Sequence, residues 1–455
     1  MGDVIEVFRH GAHVGQFTRP SAGAISFTYD EDAPDTPISL SLPRDGSATR
    51  HAAQRWLDNL LPDNPRVLGR WARSLGVPDD AFDLVRVLGE DVAGALVLLA
   101  EGETPDPTTR PAVEATLDDL AERVAAIIND PDAWVAPDQL GRVRMSLNGS
   151  QGKFTAARIG DKWFWPSATL PSTHIFKPAV ARLEQVPAIE AGTLALAKRL
   201  GIPAPDARVE HFYSQETYMV ARFDRDASGG TPRRVHTEDL AQAAGEPSAR
   251  KYAMTARQAL SLLGAAAGED AQYAFVHELA FNTAIGDADA HSKNYSLILD
   301  DGIRLAPLYD SLPTTVWPQV RDDRLAMPIA GAVRAQGVQA GNWAKLARTA
   351  GLNEDRVVTI AQETARGVRD LAHDTYTDAG VSGLGCDGGA PRPPPGRHDI
   401  RTDAQPRHVS VSCPVLDGGS ESWKGSLLRR SRRPPRGRPR QRALHNPGYL
   451  APAPW

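Results

Sequence analysis

Short runs of alternating apolar and polar residues occupy the beginning of the chain. An alternation with a period of two is typical of strands that bury one face, and turn residues separate these runs. We therefore predict a small antiparallel sheet from the segments VIEVF, HVGQF, ISFTY and ISLSL. Apolar residues then recur at helical intervals over residues 48–64 and again over residues 65–75, and Pro62 ends the first pattern.

Proline-rich and glycine-rich stretches divide the rest of the chain. The segment TPDPTTRP precedes an amphipathic helix predicted over residues 117–128. Strand-like runs TAARI, KWFWP and STHIFKP follow, after which the pattern is mostly helical. We predict that HTEDL starts a helix, with Thr237 as its cap and Asp239 in its first turn. The predicted domains are an N-terminal domain at 1–103, a linker helix with a β-rich lobe at 104–221, a helical lobe at 222–375 and a tail at 376–455.

The tail differs from the body in charge and composition. The chain has 455 residues and a net charge of -5, but the tail alone contains 13 Lys and Arg against 6 Asp and Glu. A Pro-, Gly- and Arg-rich segment with few aliphatic residues buries too little apolar area to offset its ordering entropy. We predict a disordered, basic tail, which is either a solvated extension or a segment that binds nucleic acid through its arginines.

Other classes of protein are disfavoured by the composition. We find neither a run of about eighteen apolar residues nor a basic-then-apolar leader pattern, so we expect a cytoplasmic protein without membrane contact. The two cysteines, Cys386 and Cys413, both lie in the tail. They predict neither a disulfide framework nor a metal cluster for the body of the chain.

The stretch FNTAIGDADAHSKNYSLILDDGIRLAPLYD carries the strongest candidate chemistry. Asn294 follows Asp289 by five residues, and Asp310 follows a predicted hairpin. Kinase catalytic loops have this order: an Asp that orients the acceptor hydroxyl, an Asn that binds magnesium, and a later Asp that holds the same metal. Asp287 is interpreted as a turn residue, which is the common role of a loop aspartate.

Two upstream features extend this pattern. The glycine- and serine-rich segment MSLNGSQGKF does not fit a P-loop, and by itself it is typical of a hairpin as well as of a phosphate-binding loop. Lys177 ends the apolar run THIF before a proline, as either an inward-facing strand lysine or an edge-strand lysine. Together with the acid–amide–acid order, these features resemble the phosphate-covering loop and strand lysine of a kinase.

The motifs as a set resemble the HipA family of serine/threonine kinase toxins. The resemblance rests on RMSLNGSQGKF, STHIFKP, MVARFDR, HTEDLAQAAGEPSARKY, FNTAIGDADAHSKNYSLIL and LAPLYDSLPT, with LDNLLPDN and LGEDVAGALVL in the N-terminal domain. It covers roughly residues 1–375. It implies an α+β, bilobal protein-kinase-like fold with a small β-rich N-terminal subdomain, a nucleotide-binding N-lobe and a mostly helical C-terminal lobe.

The resemblance also implies roles for individual residues. Asp289 would be the catalytic base, Asn294 and Asp310 the magnesium ligands, and Lys177 the phosphate-binding lysine. Residues 146–153 would form the loop over the nucleotide, and residues 219–223 the hinge beside adenine. The complete set of implied ATP-binding residues is Ser146, Leu147, Asn148, Gly149, Ser150, Gln151, Lys153, Lys177, Met219, Ala221, Phe223 and His291.

Some positions depart from related patterns or carry alternatives. A glutamate is common in the family where this chain has Ala221. The chain lacks the arginine of H-R-D and the D-F-G motif of other kinases, and both absences are typical of the family. Glu190 is either the ion-pair partner of Lys177 or a surface helix residue. His291 and His236 are either ligand contacts or structural histidines.

The implied function is ATP- and Mg²⁺-dependent phosphorylation of a protein hydroxyl. The family's partners are a HipB-like helix-turn-helix antitoxin, DNA through that antitoxin, and a protein substrate of the aminoacyl-tRNA synthetase type. Ser146 matches a serine that some relatives autophosphorylate, and Ser150 is the competing site. The alternatives are an inactive binding partner within a repressor complex and a phosphotransferase that acts on a small molecule.

Overall fold

The computed structural model describes residues 3–21, 23–109, 111–133, 149, 151–317, 319–320 and 323–382. Its N-terminal part contains an antiparallel sheet and three helices that share one apolar core. The sheet has the order β3-β2-β1-β4, formed by β1 (Val4–Arg9), β2 (Ala12–Thr18), β3 (Ser26–Tyr29) and β4 (Leu96–Ala100). The helices are α1 (Ala52–Asn59), α2 (Pro65–Leu75) and α3 (Ala81–Leu88). The first three predicted strands and both predicted helices are confirmed.

The fourth predicted strand, ISLSL at residues 38–42, is wrong, because these residues form turns and coil. Their backbone groups bind side chains of the helical lobe instead of a neighbouring strand. The Leu40 N–H donates to the Glu238 carboxylate at 2.9 Å, and the His236 ring donates to the Ile38 carbonyl at 2.9 Å. Alternation alone did not reveal these partners, which lie about two hundred residues away in the sequence.

A second sheet forms the smaller lobe beside this domain. Its strand order is β5-β7-β6-β8-β10-β9. The strands are β5 (Val113–Ala115), β6 (Phe154–Ile159), β7 (Lys162–Trp165), β8 (His174–Pro178), β9 (Ala207–Phe212) and β10 (Gln215–Ala221). Helix α4 (Leu117–Asn129) packs with Phe154 and Phe176 on one face of the sheet. Helix α5 (Val186–Arg199) packs on the other face, against Tyr218 and Val220.

The larger lobe is mostly helical, as predicted. Its helices are α6 (Leu240–Ala243), α7 (Ala256–Ile285), α8 (Ala340–Ala350) and α9 (Glu354–Asp378), and α7 is interrupted at Gly268, where φ is 82°. Short strand pairs accompany them: β11 (Arg225–Asp226) with β12 (Arg233–Arg234), β13 (Thr237–Asp239) with β14 (Ser296–Ile298), β14 with β15 (Arg304–Leu305), and β16 (Arg324–Ile329) with β17 (Ala332–Arg334). The hairpin predicted after Asn294 is thus confirmed.

The segment HTEDL is the beginning of a strand and only then of a helix. Thr237 lies in β13, and its hydroxyl donates to the Leu297 carbonyl of the adjacent strand at 2.6 Å. Asp239 is the helix cap, because its carboxylate accepts the Gln242 N–H at 2.8 Å. The predicted cap at Thr237 is therefore wrong by two residues. Residues that local propensity assigned to the helix start pair instead with a neighbouring strand, and the helix begins after them.

The predicted start of the tail falls inside a helix. Helix α9 continues to Asp378, and Tyr376 is buried with its hydroxyl 3.0 Å from the Thr193 hydroxyl of α5. A Cβ on Gly192 would lie 2.6 Å from a ring carbon of Tyr376, so only glycine fits at this close contact. Residues 383–455 lie outside the described residues, and the prediction for them stays a prediction.

Candidate active site

Lys177 lies between two acidic side chains at the cleft between the lobes. Its position in β8 directs its side chain to the face opposite Phe176, whose ring packs under α4. Its ammonium group is 2.6 Å from Glu190 of α5 and also forms an ion pair with Asp310. Burial would lower the pKa of Lys177, but the two carboxylates outweigh it and raise that pKa. Lys177 therefore stays charged, and the pairing proposed for Glu190 is present in the structure.

Asn294 and Asp310 meet at the floor of the cleft. The Asn294 amide donates to the Asp310 carbonyl at 3.0 Å, while its own side-chain oxygen is buried without a hydrogen-bond partner among the described residues. Asp310 adopts a left-handed backbone with φ 52°, which is uncommon for a residue with a side chain and occurs preferentially at functional sites. Lys177 and Lys153 hold the pKa of Asp310 well below its usual range despite burial.

The oxygens of this pair fit a magnesium ion. Magnesium prefers oxygen ligands and often takes one or two protein carboxylates plus phosphate oxygens and water. The unpartnered Asn294 oxygen and the ionised Asp310 carboxylate are such ligands. No group of three or more His, Cys, Asp or Glu in the described part of the chain could hold a metal alone. A metal here would therefore depend on ligands from the bound nucleotide and solvent.

Asp289 lies in the loop after α7, and its backbone is fixed by a neighbouring aspartate. The Asp287 carboxylate accepts the N–H groups of Asp289 at 2.8 Å and Leu312 at 3.2 Å. The prediction of a simple turn residue at Asp287 is therefore incomplete, because this buried carboxylate also ties the Asp289 loop to the segment after Asp310. Burial raises the pKa of Asp289 to about 6, which is a value suited to a general base near neutral pH.

His291 is buried beside Asp289 rather than exposed to solvent. Its Nδ1 atom has no hydrogen-bond partner among the described residues. Burial, together with the charge of Lys251, lowers the pKa of His291 to about 3, so the ring is neutral at physiological pH. A neutral ring nitrogen can accept or donate a hydrogen bond to a ligand but adds no charge to the site.

A cluster of charged residues that sequence reasoning missed supports this loop from the N-terminal domain. Asp63, between α1 and α2, lies 2.8 Å from the Lys251 ammonium and 2.9 Å from the Lys293 ammonium. It also accepts a hydrogen bond from the Ser248 hydroxyl. Lys293 immediately precedes Asn294, so Asp63 holds the predicted catalytic loop from outside its own domain. The only signal in the sequence was the LPDN and SARKY motifs, whose residues had no assigned role.

The loop predicted to cover the nucleotide is described only in part. Residues 146–148 and Ser150 lie outside the described residues. The Gly149 carbonyl accepts the Asp63 N–H at 3.4 Å, and Gly149 has φ 108° with the Lys153 ammonium 2.5 Å from where a Cβ would be. The Gln151 amide donates to the Pro178 carbonyl at 3.4 Å. Burial lowers the pKa of Lys153, which lies in the cleft near Lys177, to about 8.

The predicted hinge residues lie in and just after β10. Ala221 and Phe223 line the cleft, and the Phe223 ring stacks on Tyr309 with their centroids 5.0 Å apart. Met219 instead packs on the opposite face with Phe154 and Phe176. Any contact of Met219 with a nucleotide must therefore use its backbone. Tyr218 and Val220 of β10 also line the cleft, and sequence reasoning did not select them.

Buried charges join the hinge to the N-terminal domain. Asp91 lies 3.5 Å from Arg222, 3.0 Å from Arg225 and 3.8 Å from Arg234. The second carboxylate of the cluster, Asp224, lies 2.7 Å from Arg222 and 2.9 Å from Arg225. Burial opposes ionisation of both acids, but the guanidinium groups outweigh it and lower the pKa of each. The cluster fixes the orientation of the hinge against the first domain.

These features define a kinase-like protein: a strand lysine paired with a helix glutamate, and an aspartate–asparagine loop that contacts a second aspartate at the floor of an interlobe cleft. Models of the HipA N-terminal domain and of the HipA-like C-terminal domain match residues 5–99 and 145–372. The chain belongs to the HipA family of serine/threonine kinase toxins.

Individual relatives cover most of the chain. Y4mE of Sinorhizobium fredii is 33% identical over 392 residues, which span 82% of this chain and 92% of Y4mE. The serine/threonine-protein kinase toxin HipA of Shewanella oneidensis is 30% identical and spans 75% of this chain and 82% of that protein. A structure of the Shewanella oneidensis HipA, HipB and operator DNA complex is similar with a TM-score of 0.70 and 26% identity, covering 82% of this chain and 90% of the matched one.

No helix in the described ranges is both long enough and apolar enough to cross a membrane.

Proposed function

We propose that this protein is an ATP-dependent serine/threonine protein kinase that acts as a toxin. The observation that carries the proposal is the contact of Asp310 with both Lys177 and Asn294, where the buried Asn294 oxygen has no partner among the described residues. Asp289 lies close enough for the charge of Asp310 to act on its carboxylate. An isolated aspartate in a loop has many structural roles, but this ordered set has the composition that phosphoryl transfer requires.

Each residue has a distinct role in the proposed reaction. The Asp289 carboxylate accepts the proton of the acceptor hydroxyl. The oxygen of that hydroxyl bonds to the γ-phosphorus while the bond between the γ-phosphorus and the bridging oxygen breaks, and ADP leaves. Lys177, held by Glu190, binds the phosphates, and Val220 and Phe223 line the same cleft. Magnesium bound by Asn294 and Asp310 would supply positive charge that neutralises the transferred group.

The proposed partners follow from the relatives. The Shewanella protein was crystallised with HipB and operator DNA. We propose that this chain likewise binds a HipB-like helix-turn-helix antitoxin and contacts DNA through it. Its substrate would be a protein hydroxyl, with an aminoacyl-tRNA synthetase as the class to test first. Ser146 is the proposed autophosphorylation site, and Ser150 is the alternative. A phosphate adds about -1.5 to -2 charge at neutral pH, which would repel the γ-phosphate and silence the enzyme.

The experiment is incubation of the purified protein with γ-labelled ATP, magnesium and a bacterial lysate. Labelled protein bands are the expected result, and mass spectrometry of the kinase should find phosphate at Ser146. Label only in small molecules would favour a small-molecule phosphotransferase. No transfer at all would favour an inactive binding partner. The Asp289→Asn variant is the matched control, because it keeps the size of the side chain and removes its basicity.

A further inference from the structure

Asp289 has a second partner whose position bears on the reaction. The Tyr252 hydroxyl donates a hydrogen bond to one carboxylate oxygen of Asp289, Oδ1. The other oxygen, Oδ2, has no hydrogen bond to any side chain or backbone group among the described residues. Burial, followed by the negative charge of Asp289, raises the pKa of Tyr252, so its hydroxyl stays protonated and remains a donor.

Tyr252 is held in place by the catalytic loop itself. Its ring meets the His291 ring edge to face, with centroids 5.0 Å apart and an interplanar angle of 80°. The preceding residue, Lys251, accepts at its carbonyl the Ser292 hydroxyl at 2.9 Å and the Ser292 N–H at 3.2 Å. The Lys251 ammonium also lies 5.2 Å from the centre of the Tyr252 ring. The tyrosine and the loop therefore form one connected unit.

We propose that Tyr252 is a positioning residue for the catalytic base, a role that rests on the proposed kinase function. The torsion about the Cβ–Cγ bond of an aspartate is soft, so a carboxylate without a fixed partner rotates between orientations. The hydrogen bond from Tyr252 fixes Oδ1 and leaves Oδ2 to accept the proton of the acceptor hydroxyl. Asp287 fixes the backbone of Asp289 and Tyr252 fixes its side chain, which is the arrangement of a base oriented by a third group.

The hydrogen bond has a second consequence for the same carboxylate. A donor that binds the charged form of an acid favours ionisation, and Tyr252 therefore counteracts the effect of burial on Asp289. The other titratable groups that act on Asp289 or adjoin it are Lys251, Asp63, Asp287, His291 and Asp310. Removing the Tyr252 hydroxyl leaves all of these groups in place, so a change in the titration of Asp289 reports on the hydroxyl alone.

The test uses the Tyr252→Phe variant of the full chain, with the same acceptor protein and ATP as the wild type. We expect kcat to fall by about 10- to 100-fold, the cost of a slightly misplaced catalytic group, while KM for ATP and MgATP affinity stay unchanged. The acidic limb of the pH–rate profile should also move to higher pH. Tyr273→Phe is the matched control. The Tyr273 hydroxyl accepts a hydrogen bond from the Asn353 N–H at 3.2 Å, and Asn353 lies far along the chain from Asp289.

A double-mutant cycle distinguishes positioning from a structural role. If Tyr252 acts through Asp289, Tyr252→Phe should change the rate little in an Asp289→Asn background, whereas general damage to the fold would add to the Asp289→Asn loss. Additive losses would overturn the proposal, and so would an unchanged kcat and pH profile. A faster Tyr252→Phe enzyme would also overturn it, since the hydroxyl would then be blocking the place of the acceptor. A wild type without any transfer would refute the proposed function itself, and the role of Tyr252 with it.

Discussion

At the scale of the single residue, Asp289 and Asp310 share a charge but have different surroundings. Asp310 is ion-paired to Lys177 and has a strongly depressed pKa, whereas burial raises the pKa of Asp289 to about 6. An acid that stays ionised suits a metal ligand, and one with a pKa near neutrality suits proton transfer. The order of these residues in the sequence predicted a different role for each, and their environments supply a physical reason for that proposed difference.

Replacement of Asp289 by Asn should separate binding from chemistry. The amide cannot take the acceptor proton, so we expect phosphate transfer to fall by about 10²- to 10⁴-fold, the usual contribution of a general base. ATP affinity should stay nearly intact, because the base acts mainly in the transition state. Calorimetric MgATP binding and initial transfer rates are the measurements. A parallel loss of affinity would show that Asp289 holds the nucleotide instead.

Replacement of Asp310 by Ala should damage binding and transfer together. The change removes a proposed magnesium ligand and leaves Lys177 with Glu190 as its remaining carboxylate. The loss of MgATP affinity should exceed the roughly 10- to 100-fold that removal of an outer-shell partner costs. Titration with excess magnesium should restore part of the affinity. Normal MgATP binding in a variant shown to be folded by circular dichroism would rule out Asp310 as a ligand.

The raised pKa of Asp289 predicts the pH dependence of the reaction. The carboxylate must be unprotonated to accept a proton, and its pKa is about 6. Below that pH, kcat/KM should fall by about tenfold for each unit as the protonated fraction grows. Transfer rates at saturating magnesium between about pH 5 and about pH 8 test this. The limb should disappear in Asp289→Asn, and its persistence there would assign it to another group.

At the scale of the element, the short connection between α1 and α2 works as part of the kinase lobe. Its Asp63 forms ion pairs with Lys251 and Lys293, and its backbone binds Gly149 of the loop predicted to cover the nucleotide. Helix periodicity predicted both flanking helices correctly, and Asn64 caps the second by accepting the Arg66 N–H. Local pattern could not reveal the contact, because its partners lie about 190 and 230 residues further on.

The Asp63→Asn variant should weaken both folding and activity. Two largely buried ammonium groups would lose their shared carboxylate, and we expect a stability loss of about 2–4 kcal/mol, toward the lower end for a broken buried ion pair. Transfer should fall as well, because Lys293 adjoins Asn294. Chemical denaturation and transfer rates test this, with Asp45→Asn on the exposed surface of the same domain as control. Equal stability of the two variants would contradict the anchoring role.

The two mistaken elements in the sequence-based prediction have a common cause. Residues 38–42 alternate like a strand, and HTEDL resembles a helix start, yet both belong to the contact between the N-terminal domain and the helical lobe. Glu238 binds the backbone of the first segment, and Thr237 binds β14. Long-range partners outweighed local propensity at both places. Segments whose partners were local, such as α2 and β6 with β7, were predicted almost to the residue.

At the scale of the whole molecule, α9 closes the fold by packing on α5 and α7. The order of residue types along the chain was enough to predict that Lys177, Asn294 and Asp310 meet at the cleft. The supporting residues Tyr252, Asp63 and Asp91 were not predictable from order alone, because their roles arise only when distant segments meet. The sequence-based prediction started the tail at residue 376, which is too early because Tyr376 is buried. The surrounding stretch is mostly polar, so its composition did not indicate a buried residue.

Removal of residues 383–455 should leave the kinase intact. A chain that ends at Ser382 keeps Tyr376 and the contact of Gln185 with Ser382, so we expect its melting temperature to stay within about 2 °C of the full chain and its transfer rate to be unchanged. A chain that ends at Asp374 is the control. It loses the buried Tyr376 ring and should be destabilised by about 3 kcal/mol or more. Loss of cooperative unfolding in the chain that ends at Ser382 would show that the tail is part of the fold.

The arginine cluster at the hinge also constrains the order of events during synthesis. Asp91 is fully buried, yet the guanidinium groups that compensate it belong to residues 131 and 134 positions further along the chain. When the first hundred residues leave the ribosome, these guanidinium groups are not yet present, and because burial of an unpaired charge is costly, Asp91 should stay hydrated at that stage. The final packing around Asp91 therefore forms only after the hinge has been translated.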